Sequence, residues 1–189
     1  MTRLFCVGIV VAAVLFAMPA FASVPFAGNC TVAWYGNPAT DLIRTCPEGD
    51  WDAIDVTVLD QFGLPITGQN VIVTLGNTTE LCAGVMQVAT NASGYCRIGI
   101  KTGSISTANV PRITSTYTVT CMGYTIKTGT VTVMSADYNC APHVDALDFS
   151  FFALDYLYVG AGNRSDFNND SKVDALDFSL WALHWLDQS

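Results

Sequence analysis

Between Ser23 and Met134 apolar and polar residues alternate with a period of two, the pattern of strands that bury one face. It is clearest in Asp55-Val56-Thr57-Val58-Leu59, Asn70-Val71-Ile72-Val73-Thr74-Leu75, Thr116-Tyr117-Thr118-Val119-Thr120-Cys121 and Gly129-Thr130-Val131-Thr132-Val133-Met134, with a shorter version in Arg97-Ile98-Gly99-Ile100. Turn-forming runs separate these segments, namely Gln61-Phe62-Gly63-Leu64-Pro65 and Asn91-Ala92-Ser93-Gly94. Six or seven short strands in about 110 residues predict an all-β, immunoglobulin-like antiparallel sandwich over residues 23–134.

Beyond residue 134 the period becomes helical. Phe178, Trp181, Ala182, Trp185 and Leu186 fall at i, i+3, i+4, i+7 and i+8, and Phe149, Phe152, Ala153, Tyr156 and Leu157 repeat that spacing. This stripe predicts two short helices packed on each other over residues 135–189. A second stripe, Leu176, Leu180 and Leu183 with its match Leu147, Phe151 and Leu154, lies on another side of each helix. Two short helices do not bury both stripes, and surplus apolar surface on such a unit marks a partner site. The alternative is that the second stripe packs against the sandwich.

Each helix follows a loop whose oxygen-bearing residues are regularly spaced. In the second, Asp166, Asn168, Asp170, Asp174 and Asp177 occupy positions 1, 3, 5, 9 and 12, and apolar Val173 occupies position 8. A twelve-residue calcium loop needs this spacing, because alternate side chains and the position-7 carbonyl, here that of Lys172, converge on one cation. Moving back 29 residues, Val144-Asp145-Ala146-Leu147-Asp148-Phe149-Ser150 is identical to Val173-Asp174-Ala175-Leu176-Asp177-Phe178-Ser179. The first loop thereby offers Asp137, Asn139, the carbonyl of His143, Asp145 and Asp148. Turn chemistry alone explains an acidic loop, but not its repetition.

The last fifty-odd residues resemble a dockerin domain, the family built from two calcium-loop-plus-helix repeats with the pattern D-x-N-x-D-x-x-V-x-x-x-D. The resemblance implies calcium as the cofactor and, as partner, a cohesin-like domain or other surface protein. It also implies that Ala146-Leu147 and Ala175-Leu176, at loop positions 10 and 11, help to form the contact face together with the following helix turns. Two departures stand out: position 5 of the first loop is Ala141, and the sharp-turn position holds Pro142 there and Ser171 in the second loop, where Gly is usual. The second loop carries four carboxylates and the first three, so the second is expected to bind calcium more tightly. In the sandwich, Val56-Thr57-Val58-Leu59-Asp60-Gln61-Phe62-Gly63-Leu64-Pro65-Ile66-Thr67-Gly68, followed by Thr90-Asn91-Ala92-Ser93-Gly94, is similar to bacterial immunoglobulin-like modules of the invasin and carboxypeptidase-regulatory kind.

Composition adds the compartment. Arg3, an apolar run from Leu4 to Met18 and the Ala20-Phe21-Ala22 site describe a secretory signal peptide over residues 1–22, too short for a membrane anchor. Of seven cysteines, Cys6 leaves with the leader, and the remaining six suit an oxidising, extracellular or cell-surface setting. Cys140 sits at position 4 of the first loop, where a bridge to the preceding strands, with Cys121 as the partner considered, pins the two segments together. No C-x-x-C pair is present, which argues against zinc. Sixteen acidic against eight basic residues give a formal net charge of −8, and nine of the acids lie from Asp137 onward. Such a surface disfavours nucleic acid and anionic lipid, and its self-repulsion predicts that the segment orders when a divalent ion is added.

Catalysis finds no constellation. The sandwich segment has no histidine, Glu48 and Glu80 sit in no motif, and Asp41, Asp50, Asp52, Asp55 and Asp60 fall at predicted turns or strand ends. Trp34, Tyr35 and Trp51 leave a polysaccharide-binding face open as an alternative, against core packing of a tryptophan. The expectation is a non-catalytic protein whose calcium-dependent module tethers the sandwich to a partner in a setting such as polysaccharide degradation. The rivals are a carbohydrate-binding module of an enzyme assembly and a structural surface or adhesion protein.

Overall fold

The computed structural model describes residues 23–35, 42–48, 51–77, 81, 82, 85–103, 112–141 and 143–186. The leader, Asp41, Asp50, Glu80 and Pro142 lie outside them. Among the described residues eight strands, β1 (Thr31–Tyr35), β2 (Leu42–Thr45), β3 (Ala53–Thr57), β4 (Asn70–Leu75), β5 (Met86–Ala89), β6 (Tyr95–Gly99), β7 (Ile113–Cys121) and β8 (Tyr124–Ser135), form two sheets. Their orders are β1-β3-β6 and β2-β8-β7-β4-β5. Two short helices follow, α1 (Ala146–Asp155) and α2 (Ala175–Ala182).

Alternation in the sequence becomes a β-sandwich-like core. Ile54, Val56, Cys96 and Ile98 from the smaller sheet meet Val71, Val73, Val119, Cys121 and Val131 from the larger. The expected turns are present: Asp60 accepts the N–H groups of Phe62 and Leu64 at 2.8 and 2.9 Å, and Gly63 takes φ 77° there. The expectation of a wholly antiparallel arrangement needs one correction, since β2 runs parallel to β8, pairing Leu42 with Thr132 and Ile43 with Val133.

That β2–β8 edge carries apolar side chains on both faces. Ile43 and Val133 enter the sandwich core, whereas their neighbours Leu42 and Met134 enter a second cluster with Ala136, Tyr138, Val144, Phe152, Phe167, Val173 and Trp181. β8 therefore loses its alternation at its end, where Val133 through Tyr138 are all buried. A strand covered on both faces reads as a continuous apolar run. Trp181, 1% exposed, donates its indole N–H to the Ala136 carbonyl at 3.0 Å, which satisfies its polar atom inside the cluster.

The helix pair closes by reciprocity. The Leu157 N–H after α1 donates to the carbonyl of Val173 at 2.8 Å, and the Leu186 N–H after α2 donates to that of Val144 at 2.9 Å. Each repeat thus bonds to position 8 of the opposite loop. The expected seam is present at its centre, with ring centroids of Phe152 and Trp181 5.8 Å apart and those of Phe149 and Phe178 6.0 Å apart, whereas its outer members Tyr156, Leu157, Trp185 and Leu186 are exposed.

Candidate metal centre

Positions 9 and 12 of each loop also start the helix. Asp145 and Asp174 are the N-caps of α1 and α2 and accept from the N–H groups of Leu147 and Leu176, both at 2.8 Å. In return Asp148 and Asp177 accept from the N-cap N–H groups at 2.9 and 3.0 Å, completing a capping box in each repeat. The same position-12 carboxylates reach across to the opening of their loops: Asp148 accepts from Tyr138 N–H at 2.7 Å and Asp177 from Asn168 N–H at 3.0 Å. Both loops are thereby drawn shut.

Within the second loop the position-1 carboxylate of Asp166 accepts from the N–H groups of Asp170 and Ser171, both at 3.0 Å. Asn168 Oδ1 accepts from Asp170 N–H and Asp170 Oδ1 from Lys172 N–H, again at 3.0 Å, so successive side chains turn toward the loop interior. Ser171 adopts φ 71°, the left-handed conformation that glycine usually supplies at this position. The first loop repeats the scheme more sparsely, with Asn139 N–H donating to Asp137 at 3.1 Å and Ala141 N–H to Asn139 Oδ1 at 2.7 Å.

Electrostatics distinguishes positions 1 and 12. Asp166 and Asp177 are 1% and 0% exposed, and Asp137 and Asp148 are 2% and 0% exposed. Burial, aided by the negative charge of Asp166, pushes the Asp177 carboxyl above its ordinary range. Burial likewise pushes Asp137 up to about 6, with the charge of Asp148 adding to it, and raises Asp148. Two buried like charges at the two ends of each loop, surrounded by hard oxygen donors, suit a calcium ion in kind. Among the described residues no three His, Cys, Asp or Glu side chains gather closely enough to hold an ion, so the arrangement supplies paired carboxylates rather than a finished cage. His143 is exposed at the edge of the first loop.

Attachment of the loops to the sandwich departs from expectation. Cys140 bonds to Cys82, not to Cys121, which is buried within the sandwich core. The correction follows from topology: β7 delivers Cys121 into the space between the sheets, whereas Cys82 follows β4 and its N–H donates to the Gly103 carbonyl at 3.2 Å, near the first loop. A Cβ at Gly103 would run into the Asp137 carboxylate, so this glycine leaves room for position 1. Arg112, which no motif marks, places its guanidinium against Asp166.

The second apolar stripe is divided. Leu147, Leu154, Leu176 and Leu183 are 53%, 62%, 61% and 75% exposed, whereas Phe151 and Leu180 pack against the second core. The exposed apolar face is therefore narrower than the stripe, because α1 and α2 turn one edge of it toward Tyr138 and its neighbours. Phe149, Phe152, Ala153, Tyr156 and Phe178 also line an apolar groove of about 280 Å³.

The sandwich residues considered for other roles are mostly engaged. Trp34 meets Tyr117 edge-on at 5.1 Å against the main core, and Trp51 stacks on His184 at 4.2 Å. Asp52 is ion-paired with Arg44, and Asp55 with Arg97, whose guanidinium also covers the exposed ring of Tyr35 at 3.7 Å. Among the described residues no helix is long and apolar enough to cross a membrane. No family model matches the chain, and no curated protein matches it. A solved structure of invasin, described as a bacterial integrin-binding protein, aligns over 56% of this chain and 19% of its own length, at 20% identity and a TM-score of 0.38. A likeness at that level establishes neither a shared fold nor a shared role.

Proposed function

We propose that this is a secreted, non-catalytic, calcium-dependent docking protein, in which an immunoglobulin-like sandwich carries a dockerin-like pair of loop-helix repeats. Asp166, Asn168, Asp170, the Lys172 carbonyl, Asp174 and Asp177 would hold the stronger ion, and Asp137, Asn139, the His143 carbonyl, Asp145 and Asp148 the weaker. The ion supplies positive charge between carboxylates that otherwise repel, and so favours the closed loops that cap α1 and α2. The observation that carries this reading is the buried position-1 and position-12 pair, present in both repeats beneath helices whose outward leucines have no cover among the described residues. Leu147, Leu154, Leu176 and Leu183 then form the face for a cohesin-like domain or another surface protein. The shared second core favours one further role, in which calcium stiffens the whole module as part of a surface structure.

Calcium titration by calorimetry on the mature chain tests the metal, and capture of a purified cohesin domain tests the face. The expected results are one tight and one weaker calcium event, with capture abolished by Leu183→Asp while calcium uptake and melting stay unchanged. Leu180→Asp should instead destabilise the fold, because its side chain reaches the second core. Absence of calcium heat would defeat the reading.

A further inference from the structure

The second loop is gripped from outside by a sandwich residue. Arg112, one position ahead of β7, donates from Nη1 to Asn169 Oδ1 at 2.7 Å and from Nε to the Asn163 carbonyl at 3.1 Å. Its Nη2 donates to the Asp166 carbonyl at 2.8 Å and to Asp166 Oδ2 at 3.2 Å, and its backbone N–H to the Gly162 carbonyl at 3.2 Å. The two paired side chains are 12% and 1% exposed, so the contact is largely withdrawn from water. Burial weighs against the guanidinium charge, and the negative charges of Asp166 and Asp177 counter that penalty. Position 1 of the second loop is thus paired with a cation that belongs to the protein itself, and the charge of position 12 acts on the same guanidinium from farther off.

We propose that Arg112 is a built-in stand-in for the metal: it offsets the surplus negative charge of Asp166 and Asp177 while calcium is absent, and opposes the ion when calcium arrives. This rests on the calcium reading above. The consequence is that the sandwich sets the calcium threshold of the second loop. Guanidinium and ion meet at the same carboxylate, and a unit charge beside a double one, screened by salt, weakens binding by about three- to tenfold. Linkage makes the effect mutual, so calcium in turn loosens the hold of Arg112 on the loop.

The test compares calcium titrations of the mature chain with Arg112 variants at fixed ionic strength. Arg112→Met should bind calcium about three- to tenfold more tightly at the stronger site, and its melting temperature in excess chelator should fall. Arg112→Gln keeps an amide donor without the charge, serves where the methionine variant does not fold in chelator, and should also bind more tightly. Arg112→Lys, which keeps the charge, should stay near wild type. Equal or weaker binding by both uncharged variants, with wild type binding normally, overturns this inference alone. Wild type that takes up no calcium overturns the docking reading and this inference together.

Discussion

Removing the bond between Cys82 and Cys140 is the perturbation whose cost the fold states most directly. The cysteines are 58 residues apart, and closing a loop of that length restricts the unfolded chain by about 4 kcal/mol in the chain-entropy account. The native side of the balance should change little. Cys82 is an exposed residue, and the segments it joins remain held by the second core and by the N–H of Cys82 on the Gly103 carbonyl. For a chain of this size the loss corresponds to a fall of about 8–16 °C in melting temperature. Cys82→Ala, Cys140→Ala and the double variant should give nearly the same loss in urea titration, since the bond needs both sulfurs, and reductant should bring wild type to the same midpoint. Peptide mapping without reduction should recover the 82–140 linkage. A harmless Cys82→Ala beside a costly Cys140→Ala would refute the reasoning, because the loop would then be tied to another cysteine.

The second core and the sandwich thiols yield two further expectations. Trp181→Ala should cost about 3–5 kcal/mol, since it empties the centre of the second cluster and strands the Ala136 carbonyl; a single cooperative urea transition shifted by that amount checks it. Burial, with the charge of Cys121 adding to it, pushes the Cys96 thiol up to about 11. Its proton is therefore held more tightly in the folded than in the unfolded chain, so stability should fall as pH rises from about 9 toward 11. Native alkylation at pH 8 should leave Cys96 unmodified until denaturant is added, and ready labelling of the folded protein would contradict that.

Legibility in the sequence divided along the range of the interactions. Period two located β4, β7 and the body of β8 because their inward side chains there face a single core, although β8 gives Met134 to the second one at its end. It was silent on β2, where Leu42 and Ile43 serve two cores in succession, and on β5, where only Met86 is buried. Loop chemistry was legible because calcium spacing, Asp caps and the 29-residue repeat all act within a dozen residues. The apolar stripes told which residues share a side of a helix but not what covers that side, so Phe151 and Leu180 were grouped with leucines that remain exposed. The pairing of Cys140 and the placement of Arg112 are decided by chain topology. Charge spacing held no trace of an arginine that meets its carboxylate 54 residues later.

These two long-range attachments fall at equivalent places. Cys140 and Asn169 each occupy position 4 of their loop, with φ of 59° and 61°, and each meets a sandwich residue, Cys140 by its bond to Cys82 and Asn169 through the Arg112 guanidinium, which also holds Asp166. Position 4 thus reaches outward in both loops, while in the second loop Asp166, Asn168 and Asp170 accept N–H groups of the loop itself. The repeats, identical over 144–150 and 173–179, therefore differ in how their loops are attached. Reductant is expected to act on the first loop through the Cys82–Cys140 bond, and salt on the second through the Arg112–Asp166 pair. Leu157 and Leu186 cross-bond the repeats through Val173 and Val144, so the end of each helix is tied to the loop of the other repeat. The loops that precede α1 and α2 are thus tied to the sandwich by different chemistry, a disulfide at Cys140 and a guanidinium–carboxylate pair at Asp166.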